Sequence, residues 1–179
     1  MSHRAREPID VEVISLRSAD ATVEAAQRLD ARCFRGGERS DIASEIDRPF
    51  TFAWAAKLPV LDPGADVVGY ILTWHVADEL HILNVATDPD HRRRGIGNVL
   101  VARAIDFARE NKVRLVLLEV RRGNLPAIRL YRSFGFSLLG LRKGYYADDG
   151  EDAIEMVLVL DPETGDIVPG RDELRLEEV

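Results

Sequence analysis

The sequence predicts an α/β chain, a mixed sheet with helices on both faces in the order βααβββαβαββ. Three observations carry that expectation. Stretches of period-2 alternation are interleaved with stretches of helical periodicity rather than grouped apart from them. Leu115–Val120 opens as an unbroken apolar run and closes on Glu119, the pattern of a central strand covered on both faces. Between Gly95 and about Asn111, residues Ile96, Leu100, Ala104, Phe107 and Ala108 fall on one helical stripe.

Residues 10–16 (DVEVISL) alternate like a half-buried strand. Val23, Ala26, Leu29 and Ala31 are spaced as a helix over residues 20–33, with Asp20 as its N-cap, and Gly36-Gly37 breaks it. A short second helix runs from Ser40 to Asp47, and Pro49 forbids its continuation. Three strands follow: Thr51–Leu58, Val67–Val76 after a turn at Asp62-Pro63-Gly64, and Leu80–Thr87 after a tight turn at Ala77-Asp78-Glu79. After the helix from Gly95 and the Leu115–Val120 strand, Asn124 caps a further helix. Pro126 is tolerated in its first turn, and Gly135 is placed to end it. Two last strands, Ser137–Leu141 and Ala153–Leu160, are joined by a polar loop. Beyond Leu160 the sequence is acidic and poor in large apolar residues, which predicts one domain over residues 1–160 and a loosely held tail over 161–179.

Composition narrows the function classes. A net charge of −7 argues against a general nucleic-acid binder, since such proteins are usually basic. It suits solubility, and also a basic peptide or polyamine partner. No apolar run approaches the ~20 residues of a membrane span, and Met1-Ser2-His3-Arg4 has no apolar stretch behind it. A cytoplasmic protein, monomeric or weakly dimeric, is expected. Cys33 is the only cysteine, so no internal disulfide framework or cysteine metal cluster is available. His75, His81 and His91 lack ligand spacing, and no metal is expected.

The strongest chemical signal lies where the Leu80–Thr87 strand runs through Asp88-Pro89-Asp90-His91 into Arg92-Arg93-Arg94-Gly95-Ile96-Gly97-Asn98 and a helix. Gly95 and Gly97 allow a tight turn and a close approach of backbone to ligand. The first N–H groups of the helix point into that space, where the helix dipole favours an anion, and three arginines add cationic side chains suited to phosphate. The segment reads as a pyrophosphate cradle. Neither the Lys-Ser/Thr ending of a triphosphatase P-loop nor a Gly-x-Gly-x-x-Gly fingerprint is present, and a plain strand–helix turn with solvated arginines is the competing reading.

Arg92-Arg93-Arg94-Gly95-Ile96-Gly97 resembles the Arg/Gln-x-x-Gly-x-Gly/Ala signature of the GCN5-related N-acetyltransferases (GNAT), and sits at that family's junction of fourth strand and third helix. The resemblance covers about residues 10–160. A second series resembles the RimI-type branch, N-terminal α-amine acetyltransferases whose known target is ribosomal protein S18. It consists of Leu118-Glu119-Val120-Arg121, Asn124-x-x-Ala127-Ile128-x-Leu130-Tyr131, Gly135-Phe136, Arg142-x-x-Tyr145-Tyr146 and Glu151-Asp152-Ala153.

The resemblance implies acetyl-CoA as co-substrate, with its pyrophosphate held by Arg92–Asn98, and direct attack of an amine on the thioester. It makes Glu119 the base and Tyr131 the general acid. Backbone groups of Val85, Ala86 and Thr87 take the oxyanion and pantetheine arm, Asn124 adds a contact to that arm, and Tyr145 forms a wall of the peptide channel. A free α-amine titrates near ~7.7–8.0 against ~10.4 for lysine, which makes the α-amine the easier nucleophile to free. RimI-type proteins usually carry Pro-Trp-Ser/Thr beside the peptide site. Here Phe34-Arg35-Gly36-Gly37-Glu38 stands in its place, with Phe34 the candidate substrate contact. The connection around Pro59–Asp66 is also long. A lysine side chain or a small amine therefore stays open as acceptor beside a protein N-terminus.

Overall fold

The computed structural model describes residues 7–17, 21–34, 40–59 and 67–174. In chain order the elements are β1 (Glu12–Ser15), α1 (Ala21–Cys33), α2 (Ile42–Ile46), β2 (Thr51–Lys57), β3 (Val67–Val76) and β4 (Glu79–Thr87). A short 3-10 turn at Pro89–His91 then leads to α3 (Ile96–Glu110), β5 (Leu115–Arg121), α4 (Leu125–Ser133), β6 (Ser137–Arg142), β7 (Ala153–Leu160) and β8 (Ile167–Val168). Every element expected over residues 10–160 is present. The expected Asp20 cap, the Gly36-Gly37 break, the Asp62-Pro63-Gly64 turn and His3 lie outside the described residues.

The strands are ordered β1-β2-β3-β4-β5-β7-β6, with β8 on β7. β1 runs antiparallel to β2, β4 parallel to β5, and β7 antiparallel to both β5 and β6, so the sheet is mixed. The parallel β4–β5 ladder begins at Glu79↔Leu115 and ends at Ile82↔Leu118, although β4 continues to Thr87 and β5 to Arg121.

The chain divides into two compact units. The first, Met1–Thr73 with Asn84–Ala104, packs Val23, Ala26, Leu29, Ile42, Trp54, Tyr70, Ile71, Leu72, Ile96 and Leu100 out of solvent. It also buries one carboxylate. Asp30 on α1 is fully covered, where an unpartnered charge would be costly. Its Oδ1 accepts from the Tyr70 hydroxyl at 2.6 Å and the Ser40 N–H at 3.3 Å. Burial, and then the Asp30 carboxylate, push the Tyr70 phenol far above its ordinary pKa, so it stays a donor. α2 begins at Ile42, two residues beyond the expected Ser40, because Asp41 is its N-cap and accepts from the Ser44 N–H.

The second unit, Trp74–Leu83 with Ile105–Val179, is built around Leu80, Val116, Leu118, Phe136, Leu138, Ile154, Met156 and Leu158. The ends of α4 follow expectation: Asn124 Oδ1 accepts from the Ala127 N–H, and Gly135 at φ +93 reverses the chain. The Phe136 N–H returns to the Tyr131 carbonyl, closing a Schellman-type end. Two expectations fail here. β5 is not covered on both faces, because Val116, Leu118 and Val120 are buried whereas Leu115 and Leu117 are half-exposed and Glu119 is exposed. Residues 161–174 are not a loose tail. Val159↔Val168 and Leu160↔Ile167 pair β8 to β7, and Asp172 accepts from both Arg132 and the Leu138 N–H. The attachment rests on single polar residues and a two-residue strand, neither of which shows as apolar periodicity.

Candidate active site

In the first unit the end of β4 is fixed from below by an aspartate. Asp88 is nearly buried, caps the Pro89–His91 turn through the Asp90 N–H, and accepts from Arg32 of α1 at 2.7 Å. Arg32 also reaches Asp90 at 3.1 Å. Two cations and a cap therefore hold the chain just ahead of the cradle: Arg92 Nε turns back to the Thr87 carbonyl at 3.4 Å, which also accepts from Cys33 Sγ at 3.5 Å. Burial raises the Cys33 pKa against the lowering effect of Arg92, so the thiol stays protonated.

Arg93 at φ +61 and Gly95 at φ +86 are both left-handed, and together they turn the chain into α3. The first helical bond runs from the Val99 N–H to the Gly95 carbonyl, so the N–H groups of Ile96, Gly97 and Asn98 precede the hydrogen-bonded ladder. Gly97 is half-exposed and Asn98 exposed, while Ile96 is buried and anchors the turn in the core. Three backbone donors at the positive end of a 15-residue helix, beside the exposed Arg92 and Arg93, are the donor set a diphosphate requires. Arg94 is placed otherwise: its Nε donates to the Glu7 carbonyl, and its own carbonyl accepts from the Ile9 N–H. Val85 is half-buried, Ala86 buried and Thr87 half-buried. Phe34, half-buried, ends α1 with its N–H on the Asp30 carbonyl. Arg35–Glu38 and the 60–66 connection lie outside the described residues.

In the second unit Glu119 points from the exposed face of β5 and accepts from Arg142 Nη1 at 2.8 Å. The Arg142 guanidinium lies 4.4 Å from the centre of the Tyr145 ring, which meets Tyr146 edge-on at 5.2 Å. Tyr146 is in turn covered by Arg121 at 4.0 Å. Arg121 gathers Asp148, Asp149 and Glu151, all within 2.9 Å, so the loop 143–152 is pinned to the end of β5. Glu119 and Tyr145, both expected at the site, are thus brought together through Arg142. Tyr131 is buried on α4, its ring 5.6 Å from Phe136. Burial, with Tyr146 adding to it, raises the Tyr131 pKa, so the phenol remains a proton-bearing donor at any working pH. Asn124 is exposed and already spends Oδ1 on its own helix. Among the described residues no group of three or more His, Cys, Asp or Glu side chains is placed to hold a metal ion.

Sequence reasoning did not single out Arg32, and it gave no role of their own to Asp88, Arg121 and Arg142, although the last two stand in the RimI-type series. The Asp-Pro step at 88–89 was a legible cap signal. The three others act through partners 23 to 56 positions away, which no local pattern reports.

A family model described as the acetyltransferase (GNAT) family matches residues 23–136. An Escherichia coli [ribosomal protein bS18]-alanine N-acetyltransferase is 34% identical over 130 residues, covering 72% of this chain and 83% of that protein. The crystal structure of the ribosomal-protein-S18-alanine N-acetyltransferase from Escherichia coli superposes with a TM-score of 0.68 at 25% identity, covering 92% and 99% of the two chains. A Bacillus subtilis protein provisionally named for the same activity is 39% identical over 97 residues, and the match spans 54% of this chain and 64% of that protein. Arabidopsis thaliana NAA60, solved in complex with acetyl-CoA, shares the fold with a TM-score of 0.71 at 19% identity over 83% of this chain and 100% of that chain.

Proposed function

Since the chain belongs to the acetyltransferase (GNAT) family, we propose that it transfers the acetyl group of acetyl-CoA to the α-amine of a protein N-terminus, with ribosomal protein bS18 as the acceptor. The bS18-alanine N-acetyltransferases among its relatives support the acceptor. One observation carries the cofactor reading: the left-handed Arg93 and Gly95 present the Ile96, Gly97 and Asn98 N–H groups beside Arg92 and Arg93. Those donors match the charge and geometry of the pyrophosphate of CoA. No helix among the described residues is long and apolar enough to cross a membrane, and a ribosomal substrate fits action in the cytoplasm.

The amine nitrogen attacks the thioester carbonyl carbon, the C–S bond breaks, and the sulfur leaves with the bonding pair. Glu119 takes the proton lost by the amine, directly or through one water, which its exposed carboxylate allows. Tyr131 donates a hydrogen bond to the departing thiolate, which then takes up a proton. Backbone groups of Val85, Ala86 and Thr87 are the donors and acceptors proposed for the oxyanion and the pantetheine arm. Asn124 adds a polar contact to that arm, and Phe34 and Tyr145 border the acceptor.

Thiol release from acetyl-CoA with a peptide panel tests the reading. Turnover is expected with the bS18 N-terminal peptide and not with the same peptide acetylated at its α-amine. Turnover with spermidine, or with a blocked-N-terminus lysine peptide, in preference to the bS18 peptide would overturn it.

A further inference from the structure

Arg142 is used by nothing in the proposed mechanism, yet it sits on the base. The exposed faces of three neighbouring strands converge there. The register places Glu119 of β5 directly opposite Glu155 of β7, and Glu155 opposite Gly140 of β6. Carboxylates facing each other across an antiparallel pair repel. Two features of β6 relieve this. Gly140 has no side chain, and a Cβ there would lie 2.5 Å from Glu155 Oε2, so the Glu155 carboxylate leans into the space glycine leaves. Two residues on, Arg142 places one guanidinium against both acids: Nη1 is 2.8 Å from Glu119 Oε1 and Nε is 4.0 Å from Glu155 Oε1. Tyr145 stacks on that guanidinium at 4.4 Å and fixes its plane. The next charged side chain along β5, Arg121, is already surrounded by Asp148, Asp149 and Glu151.

Side-chain exposures of 47% for Arg142 and 38% for Glu119 mean that the pair adds little to stability. Its consequence is for what approaches Glu119. An amine entering as ammonium meets a guanidinium already seated on the carboxylate, whereas a neutral amine needs no counter-charge and meets no such opposition.

Resting on the N-terminal acetyltransferase reading above, we propose that Arg142 is a specificity-determining and positioning residue: by occupying the cation position on Glu119 it excludes ammonium and admits the neutral amine, thereby selecting protein α-amines over lysine side chains. The proton balance favours such a filter. At pH 7.5 about a quarter to two-fifths of an α-amine of pKa ~7.7–8.0 is neutral, against about one part in a thousand of a lysine of pKa ~10.4. A site that admits only the neutral form inherits that difference of two to three orders of magnitude without touching the rest of the acceptor.

The test compares kcat/KM for two peptides matched at all but one position, one with a free α-amine and no lysine, the other with an acetylated α-amine and one lysine. In Arg142→Gln the ratio of the first to the second is expected to fall roughly tenfold or more, by a rise in the lysine peptide's kcat/KM, because an unopposed Glu119–Glu155 pair attracts ammonium. Arg142→Lys keeps the charge and should restore most of the ratio, which a purely structural role would not predict. Calorimetric binding of CoA reports that both variants are folded. A ratio unchanged in Arg142→Gln, or lowered equally by Gln and Lys, overturns the filter while leaving the acetyltransferase reading intact. Wild-type protein that turns over neither peptide removes both.

Discussion

Asp172→Asn is the sharpest test of how the C-terminal segment is held. The Asp172 carboxylate accepts from Arg132 Nη1 at 2.6 Å, Arg132 Nη2 at 2.9 Å and the Leu138 N–H at 2.9 Å. The Glu173 N–H then returns to the Leu138 carbonyl at 2.9 Å, so the segment binds both backbone groups of one β6 residue. Hydrogen bonds to a charged group contribute about 1.5–3 kcal/mol each when well shielded. The side chains here are 35% and 29% exposed, so solvent screening reduces the set to about 2 kcal/mol in total. For a chain of this length that is a fall in Tm of about 4–8 °C. The pH dependence has a definite sign. Burial works to raise the Asp172 pKa, but the Leu138 N–H and Arg132 outweigh it and hold it below the ordinary carboxylate value. A depressed folded-state pKa gives stability that is complete above the unfolded value of ~3.9 and lost as pH falls through the folded value. Thermal melts of wild type and Asp172→Asn should therefore differ fully at pH 7 and converge below about pH 4. Variants within about 0.5 kcal/mol at pH 7, or a gap that persists undiminished at pH 3, would refute the reasoning. A double-mutant cycle with Arg132→Met should return about 1 kcal/mol of coupling.

Two further outcomes follow from the site and its support. Tyr131→Phe should lower kcat roughly 10²-fold with CoA affinity kept, and Glu119→Gln should lower it by a similar factor, since the nitrogen still sheds a proton after attack; single-turnover rates check both, and wild-type rates in both variants would remove their roles. Gly69→Ala would set a Cβ 2.6 Å from Ile96 Cγ2 and 3.0 Å from the Ala86 carbonyl, so a loss of about 1–3 kcal/mol and weaker CoA binding are expected in melts and calorimetry, with unchanged values in both arguing against close packing beneath the cradle.

The cradle was legible because everything that makes it is local. Gly95, the arginines and the stripe Ile96–Leu100–Ala104 lie within thirteen residues, and each speaks through its own chemistry. Asn124 and Gly135 were legible for the same reason, since a cap is decided by one residue and its neighbours. What escaped depends on register. Glu119 reads as the end of a covered strand until β7 is laid beside β5 and Glu155 appears opposite it. Asp30 reads as a polar position on α1, and its burial is met by Tyr70, forty positions on, and by the Ser40 N–H. Residues 161–174 read as a tail because apolar content is the only attachment a sequence pattern reports, and here the attachment is a carboxylate on a guanidinium and a two-residue strand on β7.

The two side chains proposed for the chemistry lie in opposite surroundings of the second unit, and each suits its proposed task. As the proposed base Glu119 would have to shed a proton after every turnover, and an exposed carboxylate can pass it to bulk water with no relay. Tyr131 faces the reverse demand. A thiol titrates near ~8.5, well below a phenol whose pKa burial has raised, so the proton rests on oxygen even with thiolate beside it. In its proposed role a buried Tyr131 would act as a hydrogen-bond donor to the leaving sulfur, strengthened by the low dielectric around it, and would need no recharging between turnovers. Exchanging the two environments would fail on both counts. A buried Glu119 would hold its proton, and an exposed phenol would lend its hydrogen bond to water.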